Sequence, residues 1–277
     1  MTDVPRVVKT ISPTSLSAWL RCGGDWYNRY VLRSPRDGTW NMMAGNCIHL
    51  GTQTLHQGGD WKSAMAEFYA DHLEIMSASG APSLETMYTL MRIYAQMNPR
   101  REGDRPEEYF KVQVEGIAQP LTGIFDLLPG GTTGIAEFKT GGWWTQSRAD
   151  LAMQTIHYTL AYKTLFGVMP EFFHYYAFDF ENVKVRRIKT GVHEDDLNDF
   201  VDFVKEVLYN MESGLLVTKC LFVDNKQVCW YPEECGKILT ENRERAIKIE
   251  QREPSSESPK KRRKGKKVPG IAGDPDG

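Results

Sequence analysis

Two carboxylates and an ammonium group stand close together near the middle of the chain. Asp126 closes the apolar run GIFD, and Glu137 and Lys139 follow in AEFKT, with ten residues between the two acids. Glu137 and Lys139 are two positions apart, so in an extended strand they share a face. A hairpin that sets Asp126 opposite Glu137 converges all three groups. Carboxylates are expensive to bury unless they are paired or hold a metal, and hard cations such as Mg²⁺ take oxygen ligands, commonly carboxylates with waters and phosphate oxygens. A lysine beside such an ion positions or deprotonates an attacking water and offsets the charge that builds on a phosphate. The chemistry this trio suits is metal-assisted hydrolysis of a phosphodiester. A plainer reading leaves Asp126 facing solvent and Glu137 and Lys139 as an exposed same-face pair, and spacing alone does not separate the two.

Further groups lie at suggestive intervals. His49 comes four residues after Gly45 in GNCIH, and Gln154 and Tyr158 are four apart, hence on one face of a helix. The set G-x-x-x-H, GIFD, E-x-K followed by Thr140-Gly141, and Q-x-x-x-Y resembles the RecB-like branch of the PD-(D/E)XK nuclease superfamily, close to its CRISPR-associated exonucleases and phage relatives. SPTSLSAWLRCGGDWYNRYVLRSP is similar to that branch's opening helix, and the motifs keep their order across about residues 12–235. The resemblance implies an α/β, restriction-endonuclease-like mixed sheet core flanked by helices, with a helical N-terminal portion. It also implies that Asp126, Glu137, His49 and the backbone carbonyl of Phe138 hold Mg²⁺ or Mn²⁺, that Lys139 is the catalytic lysine, and that Gln154 and Tyr158 contact DNA or brace the site. Against these stand ordinary alternatives: a satisfied core histidine for His49 and plain packing for Tyr158. Glu115 in QVEG is either an extra acid at the site or, more ordinarily, a solvent-facing residue.

The five cysteines are an odd number, unsuited to a fully paired secreted framework. Cys22 with Cys220, Cys229 and Cys235 resembles the staple of the same nucleases, in which one N-terminal and three C-terminal thiolates bind a four-iron four-sulfur cluster. The interval of five residues between Cys229 and Cys235 fits that pattern; the eight between Cys220 and Cys229 depart from it. Buried thiols acting as small hydrophobes, or a zinc site, are the competing readings, and Cys47 is expected to be packing.

These groups need elements to hold them. Ser12-Pro13 marks a helix start, with Leu16, Trp19 and Leu20 on one face, and further helices are expected over about Met42–His56, Asp60–Ser77 and Leu84–Met97. KVQVEGIA, LTGIFDLLP and TGIAEFKT read as three strands, the last two joined at Pro129-Gly130-Gly131. LAMQTIHYTLAYKTLFG reads as a helix capped by Gly167, FFHYYAFDF and KVRRIKTG as two strands around Glu181-Asn182, and DDLNDFVDFVKEVLYNMESG as a closing helix. The expected organisation is one nuclease domain over 1–250, comprising a helical cover (1–105), a catalytic core (106–215) and a Cys-containing segment with a helix (216–250), then a disordered basic tail (251–277).

Composition sets the remaining bounds. With 277 residues, 34 Lys plus Arg and 36 Asp plus Glu, the chain is long enough for a large core. No run reaches the length of a membrane span and the start lacks signal-peptide order, so the expectation is a cytoplasmic protein with no membrane partner. Residues 251–277 carry eight basic and four acidic side chains, a net of +4, leaving −6 on the body. Lys260, Lys261, Arg262, Arg263, Lys264, Lys266 and Lys267 make a dense basic run, either a DNA-attracting arm or, in a eukaryotic host, a nuclear localisation signal. The expected function is a metal-dependent exonuclease acting at DNA ends in recombination, repair or phage-type replication. A structure-specific or nicking endonuclease and a non-catalytic DNA-binding or assembly factor are the alternatives. No G-x-x-x-x-G-K-[ST] occurs, so unwinding falls to a partner helicase, with a single-strand-annealing protein or another recombination factor as a further candidate partner.

Overall fold

A computed structural model describes residues 8–34, 38–141 and 144–212. The first helix, α1 (Pro13–Arg21), begins as the sequence suggests: the Ser12 side chain accepts from the Ser15 N–H, the Ser15 side chain returns the bond to the Ser12 N–H, and Pro13 occupies the first turn. Leu16, Ala18 and Trp19 are buried, but Leu20 is turned outward. The helix breaks at Cys22, whose backbone is extended, before a short α2 (Gly23–Trp26) and a π-helical turn at Tyr27–Val31. Then come α3 (Trp40–Gln57), capped by Thr39 and stopped at Gly58, α4 (Trp61–Asp71), α5 (Leu73–Met76) and α6 (Leu84–Met97). The helix expected over Asp60–Ser77 is thus two. They part at His72, whose ring Nδ1 lies 2.9 Å from the Phe68 carbonyl and so engages an acceptor of the helix backbone.

Five strands form one sheet in the order β1 (Arg105–Val112), β2 (Leu121–Leu128), β3 (Gly134–Thr140), β4 (Phe172–Asp179) and β5 (Lys184–Thr190). All neighbours are antiparallel except β3 and β4, which are parallel. A parallel pair needs a crossover, supplied by α7 (Gln146–Asp150) and α8 (Met153–Phe166); α8 ends at Gly167 in the left-handed region, and α9 (Glu194–Glu212) follows β5. The mixed sheet flanked by helices is the architecture the resemblance implies.

The first strand lies earlier than expected. KVQVEGIA contributes only its first two residues to β1, and the chain then turns at Glu115-Gly116, where Gly116 has φ +83° and the Lys205 side chain occupies the space a Cβ would need. The alternation that suggested a strand comes from Val112 and Val114, and Val114 and Ile117 anchor this turn in the core. Glu115 is an exposed turn residue.

The sheet separates two apolar clusters. One face packs Leu16, Trp19, Phe125, Tyr158, Tyr175 and Phe200 beneath α1, α8 and α9. The other packs Cys47, Ile48, Met91, Tyr94, Phe138 and Phe178 beneath α3 and α6, with Cys47 in the packing role expected of it. No described helix is long and apolar enough to cross a membrane.

Candidate active site

The β2–β3 turn sets the register on which the site depends. Leu127 pairs with Ala136 in antiparallel sense, so Asp126 comes opposite Glu137, as the hairpin reading required. Both acids are buried, at 6% and 2% exposure, which removes the reading of Asp126 as a solvent-facing residue. Alternation of faces breaks here: Phe125 belongs to one cluster and Leu127 to the other. The Phe138 N–H donates to Asp126 Oδ2 at 2.7 Å. Glu137 Oε1 accepts from Lys139 Nζ at 2.8 Å and from Gln154 Nε2 at 2.5 Å.

Helix α3 brings His49 to the same place. Gly45 sits so close to β3 that a Cβ there would lie 3.3 Å from Thr140 Oγ1, which accounts for the glycine in G-x-x-x-H. One turn on, His49 Nδ1 lies 3.5 Å from Asp126 Oδ1 and 3.7 Å from Glu107 Oε1. Donor atoms of His49, Glu107 and Asp126 all fall within 4.8 Å of one another, a grouping able to hold a cation.

Glu107 was not singled out in the sequence. It lies in β1, between Pro106, which pairs with Leu127, and Glu108, which pairs with Phe125, so it stands across from Asp126. Its φ is +52°. A left-handed non-glycine residue costs about 1–3 kcal/mol and persists only where its surroundings enforce it. The one signal available in the sequence was the acidic pair Glu107-Glu108 just ahead of an apolar strand, and it was hidden by the misplaced start of β1.

The electrostatics are those of a site short of positive charge. Burial pushes the carboxyl of Asp126 above its ordinary range, with Lys139 opposing, and burial together with the charge of Asp126 pushes Glu137 up further. When both are ionised, Glu137 Oε2 is buried with no hydrogen-bond donor. Ionised together, the two buried acids, with Glu107 beside them and one ammonium, leave an excess of negative charge and an orphaned oxygen, which without a cation is relieved by a proton shared between Asp126 and Glu137. Hard oxygen donors with one imidazole suit a divalent cation of the Mg²⁺ or Mn²⁺ type.

Lys139 is walled by aromatic rings, its Nζ 5.8 Å from the Trp144 centroid and 5.9 Å from that of Tyr175. Gln154 holds Glu137 in place from α8. Tyr158 is buried edge-on against Phe110 and Phe125. Burial and the nearby Glu137 charge keep its hydroxyl from ionising, while Gln154 and the Ile124 backbone supply hydrogen bonds. Gly123 makes room for it, since a Cβ would come within 2.8 Å of the Tyr158 ring. Tyr158 is thus a packed core residue whose hydroxyl is hydrogen-bonded to Gln154. Beside Gln154 opens a cavity of about 540 Å³ lined by Ser17, Thr145, Ser147, Arg148 and Leu151 among others.

Of the proposed cluster ligands only Cys22 falls among the described residues. Cys22 is half-buried and a free thiol, and Cys220, Cys229 and Cys235 lie outside the described residues, as does the basic run Lys260–Lys267.

The strain at Glu107 can be measured. Glu107→Gln keeps the β-carbon and removes the charge, whereas Glu107→Gly removes both charge and strain. In metal-free protein the glycine variant is expected to be the more stable by about 1 kcal/mol in denaturant titration. A glutamine variant at least as stable would show that the backbone there is not strained.

A sequence profile of the PD-(D/E)XK nuclease superfamily matches residues 10–236. No curated protein sequence matches the chain. Among solved structures the chain is similar to SSO0001, at 14% identity over 73% of this chain and 77% of that one, with a TM-score of 0.32. It is also similar to the alkaline exonuclease LHK-Exo of Laribacter hongkongensis, at 15% identity over 75% and 97%, with a TM-score of 0.28.

Proposed function

Because the chain belongs to the PD-(D/E)XK nuclease superfamily, we propose that it is a divalent-metal-dependent deoxyribonuclease of the RecB-like branch, hydrolysing phosphodiester bonds at DNA ends. The observation that carries this reading is the buried pair Asp126 and Glu137, with an orphaned carboxylate oxygen and Lys139 2.8 Å from Glu137. The placement of His49 of G-x-x-x-H beside Asp126 supports the branch. Its roles in recombination, repair or phage-type replication follow from the same resemblance.

His49, Asp126, Glu137 and the Phe138 carbonyl would hold Mg²⁺ or Mn²⁺, joined by Glu107. When bound, the cation supplies charge neutralisation and Lewis acidity toward a phosphate oxygen and a water. The chain does the rest. The Phe138 N–H fixes the rotation of Asp126 and leaves Oδ1 turned toward His49. Gln154 and Lys139 together tie down Glu137 Oε1 and leave Oε2 free for a ligand. Lys139 donates to, or takes a proton from, groups at the phosphate, and its aromatic walls limit the water around it. The cavity beside Gln154 offers hydroxyls and Arg148 to the sugar-phosphate backbone of the strand being cut.

The domain arrangement set out above, with 1–105 as cover, 106–215 as core, 216–250 as the cysteine segment and 251–277 as a basic arm, is part of the proposal. So is a four-iron four-sulfur cluster on Cys22, Cys220, Cys229 and Cys235.

The test is incubation of end-labelled linear DNA and covalently closed circular DNA with the full chain in Mn²⁺ and in Mg²⁺. Loss of the linear substrate alone is expected. Cutting of circles would make the enzyme an endonuclease on the same site, and cleavage undiminished by a chelator would remove the metal from the scheme.

A further inference from the structure

A second polar network lies buried on the α3/α6 face of the sheet, apart from the acids. His56 Nδ1 is 2.7 Å from Asp104 Oδ2, and His56 Nε2 is 2.7 Å from the Tyr94 hydroxyl, which accepts from Asn98 Nδ2 at 2.8 Å. The His56 and Asp104 side chains are each 1% exposed. Asp104 also accepts the Arg101 N–H at 2.8 Å and the Gly130 N–H at 2.7 Å. Burial raises the Asp104 carboxyl, but these donors outweigh it and hold the group below its ordinary value. Burial holds His56 neutral against the pull of Asp104. One proton arrangement satisfies every member: ionised Asp104 accepts from Nδ1–H, and Nε2 accepts from Tyr94, which is itself a hydrogen-bond acceptor for Asn98.

The places this network ties together matter more than its polarity. His56 lies on α3 seven residues after His49, two turns along the same face. Asp104 precedes Glu107 by three residues, and Gly130 lies in the turn four residues beyond Asp126. The segment ahead of β1 packs so tightly on that turn that a Cβ on Gly130 would lie 2.0 Å from the Glu102 carbonyl oxygen. Tyr94 and His49 both stand edge-on to Phe138, at 5.3 and 5.8 Å, and the N–H of Phe138 orients Asp126. The three elements that carry His49, Glu107 and Asp126 therefore meet a second time at His56, Asp104 and the Gly130 N–H, and α6 joins them through Tyr94. The start of β1 is otherwise held by its pairing to β2, Arg105 opposite Leu128 and Pro106 opposite Leu127, and that pairing is weakened at two places. Pro106 has no N–H to give the ladder, and Glu107 leaves regular strand geometry at φ +52°.

We propose that Asp104, His56 and Tyr94 form a positioning relay that holds Glu107 in its left-handed conformation against His49 and Asp126, so that cation binding depends on a buried network outside the site. The inference rests on the metal-site reading above. These residues touch neither cation nor substrate; they act through Glu107. If Asp104 loses its anchor, the cheapest relaxation is the return of Glu107 to negative φ, which carries its carboxylate away from His49.

The test is calorimetric titration of the full chain with Mn²⁺ alone, using Asp104→Asn and Tyr94→Phe, each also combined with Glu107→Gln. Asp104→Asn is expected to weaken Mn²⁺ binding about tenfold and Tyr94→Phe about threefold, within or near the range seen when residues supporting a metal ligand are altered. Neither is expected to weaken it further once Glu107 is already glutamine. Unchanged affinity, or losses that simply add to that of Glu107→Gln, would overturn the relay. Tyr94→Phe removes one hydroxyl and keeps the ring packing, so it decides the matter if Asp104→Asn does not fold. Failure of the underlying reading looks different: Asp126→Asn would then bind Mn²⁺ as the wild type does.

Discussion

Replacing Lys139 with alanine is expected to lower turnover on DNA about a thousandfold, the scale of losing a positioned proton-transfer group, while cation binding stays the same or tightens. The asymmetry follows from the geometry. Lys139 Nζ is bonded to Glu137 Oε1, so removing it deletes a positive charge beside two buried acids and leaves the site more attractive to a cation. What would be lost is the group proposed to act at the phosphate. Lys139→Arg separates its two functions, since arginine keeps the charge but does not release a proton at ordinary pH. Turnover at saturating Mn²⁺, read with calorimetric Mn²⁺ affinity, checks the expectation. A variant retaining a tenth of wild-type turnover would remove Lys139 from the chemistry, and one that lost turnover only through weaker metal binding would make it a structural counter-ion.

The second large effect is a pH dependence of stability that a cation reverses. Asp126 and Glu137 bind their protons more tightly folded than unfolded, because burial disfavours both charges. Below the ordinary carboxylate range both states are protonated and the contribution of these groups to stability is fully present. As pH rises the unfolded chain ionises first, and stability is lost until the raised folded values are passed. The slope reaches at most about 1.4 kcal/mol per pH unit for each group. Metal-free protein should therefore lose thermal stability between about pH 4, where the unfolded carboxyls begin to ionise, and about pH 8, the raised value of Glu137, and added Mn²⁺ should restore more of it the higher the pH. His56 works in the opposite sense at the acid end, since a histidine held neutral by burial must charge as pH falls. The comparison that isolates the acids is wild type against Asp126→Asn. The variant is expected to be about 1–3 kcal/mol more stable without metal near pH 8, with a flatter pH profile and a much reduced response to Mn²⁺. A variant less stable than wild type under those conditions would show that the carboxylate pair is not a liability in the folded chain.

Both expectations trade stability against function in the same residues. A site that holds two buried acids, an orphaned oxygen and a left-handed glutamate is expected to be poorly stable when empty, and a bound cation would relieve the charge excess. The flanking structure tolerates this because its apolar clusters are extensive on both faces of the sheet.

Much of the scaffold was open to sequence reading because its signals are local. The Ser12-Pro13 start, the Gly167 stop and the Pro129-Gly130-Gly131 turn each act over a few residues through backbone geometry that any fold must respect. The short β2–β3 turn even carried the register, because few pairings are open to a tight hairpin, and the register alone sets Asp126 against Glu137. Elsewhere a period misled: Val112 and Val114 alternate like strand residues although the strand ends at Val112 and Val114 anchors a turn, and the helix expected to run on to Ser77 breaks at His72.

The types and order of the candidate site groups are thus written in the chain, since each motif keeps its own spacing on one strand or one helical turn. Their convergence on Glu107, and the relay beneath it, are not. His56 meets Asp104 across 48 residues and Tyr94 across 38. No spacing encodes those contacts; they arise when α3 and α6 pack on the same face of the sheet and bring the start of β1 against the β2–β3 turn. The conformation of Glu107 is settled there too. Nothing in the local sequence favours a left-handed glutamate, and only the ladder on one side and Asp104 on the other hold it in a state that an isolated strand would leave.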